Sequence, residues 1–248
     1  MYQIIDGARL RDEEIANTLE ELKHFEAYQE LIDTLAEASG ASLENLKLQT
    51  TYQFNVVSDK NVVGNAYVKA LNFTDEDEKV LISYNDINYE NDNSDDVTFL
   101  SGSVLTEVEG KKIQRIFNVV DGGIEIVEKE REPEFELKDA YQEDLPDNPD
   151  FKPGNYSTDG VTANAWYEFC APGGYQHCGA GCGYNLPDGG GAPINATDRC
   201  CVGHDQCWAG HGDWDPCCDR NFLNCLVGQS TAPAIAARII FGPNSLRC

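Results

Sequence analysis

Cysteine is missing from the first 155 residues, basic residues are scarce throughout, and no apolar run is long enough to span a bilayer. Each absence excludes something. Without cysteine, the first segment must fold on a hydrophobic core alone. With 18 Lys and Arg against 43 Asp and Glu, a net charge of −25, the chain would repel nucleic-acid phosphates, so no nucleic-acid partner is expected. Without an uninterrupted run of about 20 apolar residues, no transmembrane helix is expected. The first 17 residues include Asp6, Arg9, Arg11, Asp12, Glu13 and Glu14 and lack the apolar stretch of a signal peptide.

What is present is unevenly divided. Residues 1–155 hold 14 Lys and Arg against 35 Asp and Glu, a net of −21. Residues 156–248 hold 4 against 8, a net of −4, and contain all ten cysteines, from Cys170 to Cys248. That density of cysteine marks an oxidising compartment and a core too small to hold itself together. A secreted, extracellular protein is therefore expected, with its signal removed or export by another route. The asymmetry predicts three parts: an acidic domain over 1–128, a linker over 129–155 and a cysteine-rich domain over 156–248.

Between Asp12 and Ser39 the apolar residues Ile15, Leu19, Leu22, Phe25, Leu31, Ile32 and Leu35 recur at three- and four-residue steps. This spacing predicts one amphipathic helix, stopped by Gly40. The period then drops to two. Strands are predicted over Thr51–Val57, Asn65–Phe73, Val80–Tyr84, Val97–Val108, Ile113–Val120 and Ile124–Glu128. Turns fall at Asp59-Lys60-Asn61, Glu109-Gly110 and Asp121-Gly122-Gly123, and the polar run Asn85–Asp96 reads as a loop. The fold class expected is thus α+β, one helix over an antiparallel sheet, followed by a small, mainly α, disulfide-rich domain. The acidic linker, punctuated by Pro133, Pro146, Pro149 and Pro153, reads as exposed and open to an activating protease.

The cysteine-rich segment carries the chemistry. One helix is predicted from Asn195, capped in a pattern with Asp198, through Trp208; a second has Asp215 as N-cap and Pro216 in its first turn and stops before Gly228. The short connection makes them antiparallel neighbours. On the first, Cys200, His204 and Trp208 fall four residues apart, as do Cys201 and Asp205. Two disulfides between the helices would set His204 across from Asp219. A carboxylate behind an imidazole fixes its tautomer and supports a general base. Upstream, His177-Cys178-Gly179-Ala180-Gly181-Cys182-Gly183 is glycine-rich enough to turn its carbonyls toward one point. Carbonyls with the Asp205 carboxylate make a hard oxygen site that suits Ca²⁺. Zinc is disfavoured because no pair of CxxC motifs occurs.

Cys200-Cys201-Val202-Gly203-His204-Asp205-Gln206-Cys207 resembles the active-site helix of the secreted, calcium-dependent phospholipases A2. The glycine loop resembles that family's calcium loop, and Cys218-Asp219-Arg220 through Cys225 its second helix. Gly191 to Asp198 is also similar to the phospholipase domain of parvovirus capsid proteins, which points to a divergent branch. The resemblance implies calcium-dependent hydrolysis of the sn-2 ester of glycerophospholipids at a membrane surface. It implies His204 as general base, Asp219 as its orienting partner and the Gly179 N–H as an oxyanion donor. Asp205 and the carbonyls of His177, Gly179 and Gly181 would be the calcium ligands. It also implies the bridges Cys178–Cys201, Cys200–Cys225 and Cys207–Cys218. Two positions depart from the family. Cys182 stands where a second loop glycine is usual, and Trp208 where many members place a tyrosine that supports the catalytic Asp.

Other readings compete. A phospholipase-like scaffold could act as a toxin or binding module without turnover, although His204 and Asp205 are both retained. An antimicrobial precursor with an acidic inhibitory leader would favour a strongly basic mature part, whereas residues 156–248 stand at −4. Trp166, Tyr167 and Phe169, with Ile235, Ile239, Ile240 and Phe241, read either as an apolar rim for a bilayer or as ordinary core. His211 reads as a turn residue. Asn72, Asn155 and Asn195 lie in glycosylation sequons. Nothing in residues 1–128 reads as a catalytic site, so that segment is expected to be a pro-domain that restrains the enzyme until the linker is cut.

Overall fold

The computed structural model describes residues 2–58, 65–90, 97–120, 123–133, 135–137, 147–157, 170–171, 173–179, 181–183, 186, 188–227, 229, 231–245 and 247–248. In chain order these form β1 (Tyr2–Arg9), α1 (Asp12–Lys23), α2 (Glu26–Ser39), β2 (Lys47–Ser58), β3 (Ala66–Thr74), β4 (Val80–Tyr89), β5 (Val97–Val108), β6 (Lys111–Val120), β7 (Gly123–Arg131), α3 (Ala196–His211), α4 (Pro216–Cys225) and α5 (Ala232–Ser245). The strands make one antiparallel meander in the order β1 to β7, each paired with its sequence neighbour.

Alternation along the strands separates two buried faces. Leu71 and Phe73 of β3, Val80, Ile82 and Tyr84 of β4, Leu100 and Val104 of β5 and Phe117 of β6 form one face. It is covered by Leu22 of α1 and by Leu31 and Leu35 of α2. Tyr52, Phe54 and Val56 of β2, Ala66, Val68 and Ala70 of β3 and Ile87 of β4 turn the other way. They meet Ile235 and Ile240 of α5. Near the opposite end of that face, Leu81 and Ile116 pack with Leu137 and Val227. The sheet is thus sandwiched between the α1–α2 pair and the C-terminal helical region.

Several expectations need correction. The helix read over Asp12–Ser39 is two helices. The chain breaks at His24 and Phe25, where Phe25 is extended at the N-cap of α2. Phe25 itself is exposed. Gly40 does end the second helix, with φ 68. A strand at the N-terminus, β1, was not expected. Asp6-Gly7 interrupts its alternation, and a register shift between Ile4 and Asp6 absorbs the irregularity. The polar stretch read as a loop from Asn85 is strand through Tyr89, because Ile87 and Tyr89 alternate inward while Asn85 and Asp86 pair with β5. Glu109-Gly110 turns as expected, with φ of 53 and 79, both in the left-handed region of a tight hairpin. The other two turns lie wholly or partly outside the described residues.

Of the segment expected to be linker, β7 takes the start as far as Arg131. Residues 147–157 lie on the α1–α2 face: Asn148 donates to Asp6, Phe151 stacks on Tyr67, and Asn55 donates to the carbonyls of Lys152 and Asn155. Residues 138–146 and 158–169, with Trp166, Tyr167 and Phe169, lie outside the described residues. Among the sequons, Asn72 is buried in the sheet, out of reach of a glycan in the folded chain.

Candidate active site

α3 and α4 form where capping chemistry starts them. The Asn195 side chain accepts from the Asp198 N–H, and Asp215 accepts from the N–H groups of Cys217 and Cys218, with Pro216 opening α4. Five disulfides then fix the region: Cys170–Cys182, Cys178–Cys201, Cys200–Cys225, Cys207–Cys218 and Cys217–Cys248. Three are those implied by the resemblance. The first and last pair the remaining four cysteines. Two of the five, from Cys200 and Cys207, tie α3 to α4 face to face.

Across that contact His204 Nε2 lies 2.8 Å from Asp219 Oδ1, and both groups are buried. The Trp208 indole N–H donates to the same oxygen at 3.1 Å, so the departure from tyrosine keeps a donor on the carboxylate. The imidazole stacks on Phe222, with centroids 4.2 Å apart and planes 11° apart, and touches Trp208 and Phe241. Burial pulls the His204 pKa below the ordinary histidine value, and the hydrogen bond and charge of Asp219 oppose that shift. Neutral imidazole with Nε2–H on a carboxylate leaves Nδ1 as the basic nitrogen, the one not committed to Asp219.

One helical step further, Asp205 points toward the glycine loop. A Cβ at Gly183, whose φ is 147, would stand 2.6 Å from Asp205 Oδ2, so glycine there keeps the space beside the carboxylate open. Oδ2 is buried without a hydrogen-bond partner. Burial pushes the Asp205 carboxyl up to about 7, a shift His177 opposes and the charge of Asp198 reinforces. An orphaned buried carboxylate oxygen beside a glycine loop fits the chemistry of a hard-cation site. Among the described residues no three His, Cys, Asp or Glu side chains gather at one point, so a cation here would be held chiefly by backbone oxygen. Of the expected ligands, the Gly179 and Gly181 carbonyls already accept from the N–H groups of Cys182 and Asp188, and each retains a second lone pair. His177 is buried, with Nε2 2.8 Å from the Gly191 carbonyl. Gly179 is exposed.

Three features of the site were not anticipated. Asp198, read only as part of a cap, is a fully buried hub. Its carboxylate accepts from the backbone N–H groups of Gln176, His177, Cys178 and Ile194 at 2.8–3.2 Å, pinning the glycine loop to the first turn of α3. Its position three residues after Asn195 was the only local signal. Cys182, bridged to Cys170, closes the loop on itself and is buried. Asn244 reaches Asp219 from α5, a helix the sequence reading left out. Its start was legible in Thr231, whose hydroxyl accepts from the Ala234 N–H, and in the early Pro233. Gly242-Pro243 late in the segment argues against a helix. Ile235 and Phe241, open between rim and core, are core: the first against the sheet, the second against His204.

No protein-family model, no curated protein and no solved structure matches the chain. The site therefore stands on its own geometry. No helix among the described residues is long and apolar enough to cross a membrane, and the five disulfides fit an extracellular setting.

Proposed function

We propose that the chain hydrolyses the sn-2 ester of glycerophospholipids in a calcium-dependent reaction, as a divergent member of the secreted phospholipase A2 class. The observation that carries the reading is the buried His204–Asp219 pair, 2.8 Å apart, with the orphaned carboxylate of Asp205 one residue away facing a glycine loop.

In this reading His204 Nδ1 takes a proton from water as the water oxygen bonds to the sn-2 carbonyl carbon. Asp219 holds the ring's tautomer and balances the imidazolium charge. The Gly179 N–H donates to the carbonyl oxygen as it gains charge. The ester C–O bond then breaks, and the proton on His204 passes to the leaving oxygen, releasing fatty acid and lysophospholipid. The aromatic wall of Phe222, Trp208 and Phe241 keeps bulk water from the imidazole. Asp205, with the carbonyls of His177, Gly179 and Gly181, would hold Ca²⁺, whose positive charge, when bound, polarises the ester carbonyl.

The finer part of the reading is a secreted precursor, with residues 1–128 as pro-domain, 129–155 as the stretch an activating protease cuts, and 156–248 as catalytic domain. The test is fatty-acid release from mixed phospholipid vesicles by oxidised protein, before and after limited proteolysis, with millimolar-range calcium or chelator. Release that needs calcium and vanishes in His204→Gln supports the enzyme. No release from correctly bridged protein in any state points instead to a non-catalytic binding scaffold. Equal release from cut and uncut chain removes the inhibitory role.

A further inference from the structure

Asp219 is fully buried and accepts three hydrogen bonds. Two come from α3, through His204 and Trp208. The third comes from Asn244, whose Nδ2 lies 2.7 Å from Asp219 Oδ2 and 2.9 Å from the carbonyl of Trp214. A primary amide has two N–H groups, so both bonds form together. Trp214 holds φ 65, a conformation rare for a bulky residue, and its ring touches Trp208 and Phe241. With donors on both oxygens, the carboxylate has one orientation in which all three bonds survive.

Asn244 stands in the last turn of α5, and α5 is wedged between two cores. Ala234, Ala237 and Phe241 belong to the disulfide-linked core with Cys200, Cys201 and Phe222. Ile235 and Ile240 belong to the sheet. At Gly242 the helix lies against the ring of Phe99 on β5, so closely that a Cβ would collide with it. Arg220, the residue after Asp219, closes the same corner. Its Nε donates to the Ser245 carbonyl at 3.1 Å and its Nη1 to Glu125 of β7 at 2.8 Å. Beside it Asn118 of β6 donates to Asn224 of α4 at 2.6 Å.

We propose that Asn244 is a positioning residue for the His204–Asp219 pair, and that the seven-stranded sheet, by setting the depth of α5, is a structural part of the active site. The inference goes beyond the hydrolase reading and rests on it only for what the pair does. It gives the N-terminal region a supporting task alongside any restraint. That support acts in the intact chain and in a chain cut at the linker, for as long as α5 stays seated on the sheet.

The test uses the full-length oxidised protein with Asn244→Asp, Asn244→Leu and Phe99→Ala. Asn244→Asp keeps the shape of the side chain but sets a second carboxylate against Asp219, whereas Asn244→Leu keeps the bulk and removes both donors, so a residue needed only for packing tolerates the leucine. Two properties are read: the N–H resonances of the Trp208 indole and of His204 Nε2, and kcat and KM on phospholipid vesicles with calcium. Both Asn244 substitutions should move both resonances and lower kcat about 10–100-fold, the worth of a hydrogen bond to a charged group, with KM changed less than about twofold. Phe99→Ala, which touches neither Asp219 nor His204, should move the same resonances in the same direction by less; Phe99→Leu serves if the alanine variant does not fold. Resonances unmoved by Asn244→Leu overturn the positioning role. Resonances moved by Asn244→Leu but unmoved by either Phe99 variant overturn the sheet's share. Resonances that move as expected in a protein without lipase activity uphold the positioning and sink the hydrolase reading.

Discussion

The sheet region and the helical region solve one problem in opposite ways. Residues 2–131 have no covalent cross-link and bury both faces of a meander, with Phe54, Phe117, Leu31, Leu35, Leu71 and Ile82 among the side chains removed from water. The region after Cys170 buries few large apolar side chains, and many of its buried positions are half-cystines. Burial of apolar surface stabilises the first, and constraint on the unfolded chain stabilises the second. The difference shows where precision is held. A cross-linked region can keep a buried His–Asp pair and an orphaned carboxylate that a small apolar core would not tolerate, since each costs desolvation energy. The sheet, with its larger core, supplies the surface on which the last helix of that site is seated.

The largest separation between the regions should appear on removing the chemistry alone. His204→Gln should lower fatty-acid release by about 10²–10⁴-fold, the span of a lost general base. It should leave the unfolding of the sheet region unchanged when both regions are followed by hydrogen exchange. A fall in sheet stability of comparable size would mean that the two regions do not unfold separately.

Next come two substitutions of similar size that should act on opposite regions. Leu35→Ala removes a side chain with no exposure from the core between α2 and the sheet, and should cost about 2–5 kcal/mol in denaturant unfolding. Replacing Cys200 and Cys225 together by alanine opens a bridge spanning 25 residues, and should cost about 2–5 kcal/mol. Reductant should erase the difference between the second variant and its parent, while the penalty of Leu35→Ala survives it. A Leu35→Ala penalty that reductant abolished would show that the sheet folds only on a cross-linked partner.

How far the sequence revealed this comparison depends on the distance over which each feature is encoded. Features written within a few residues were legible: the caps at Asn195 and Asp215, the stop at Gly40, the hairpin at Glu109-Gly110, six of seven strands. So was the facing of His204 and Asp219, because helical spacing and a short connection determine it. What was missed depends on partners far along the chain. β1 exists because β2 pairs with it, against its own broken alternation. The break at Phe25 separates two helices that pack on the same face of the sheet. Asn244 meets Asp219 across 25 positions of sequence, and α5 carries a late Gly-Pro that local rules read as a terminator. The linker read as exposed from its prolines and acids, and most of residues 147–157 are exposed; what those residues did not reveal is that the stretch satisfies polar groups of the sheet such as Asn55 and Asp6.

A smaller effect probes the glycine loop, which the helical region pins on the buried carboxylate of Asp198. Asp198→Asn keeps the shape but replaces a carboxylate that accepts four backbone N–H bonds with an amide offering one acceptor oxygen. Hydrogen bonds to a charged group are worth about 1.5–3 kcal/mol each, so at least one such increment should be lost from the region's stability. Calcium affinity, read by isothermal titration, should weaken because residues 176–178 lose their anchor. Unchanged calcium affinity would show that the loop holds its shape through its bridges, Cys170–Cys182 and Cys178–Cys201, and would move the organising role from Asp198 to those cross-links.

The smallest contrast lies in the helix starts. α4 opens on Asp215, whose carboxylate accepts from two backbone N–H groups, whereas α2 opens on Phe25 with no side-chain cap. Helices laid on a wide sheet gain enough from their buried faces to begin without capping, but α4 has only ten residues and must keep Asp219 fixed three residues into its first turn and a half. Asp215→Ala should therefore cost about 1 kcal/mol. The loss should register first as faster amide exchange at Cys217 and Cys218, the two donors left unpaired, and next as a broader Trp208 indole resonance, because Asp219 follows them directly in the helix. Faster exchange at those two amides with the indole signal unchanged would show that the disulfides Cys207–Cys218 and Cys217–Cys248, rather than the cap, hold the start of α4 in place.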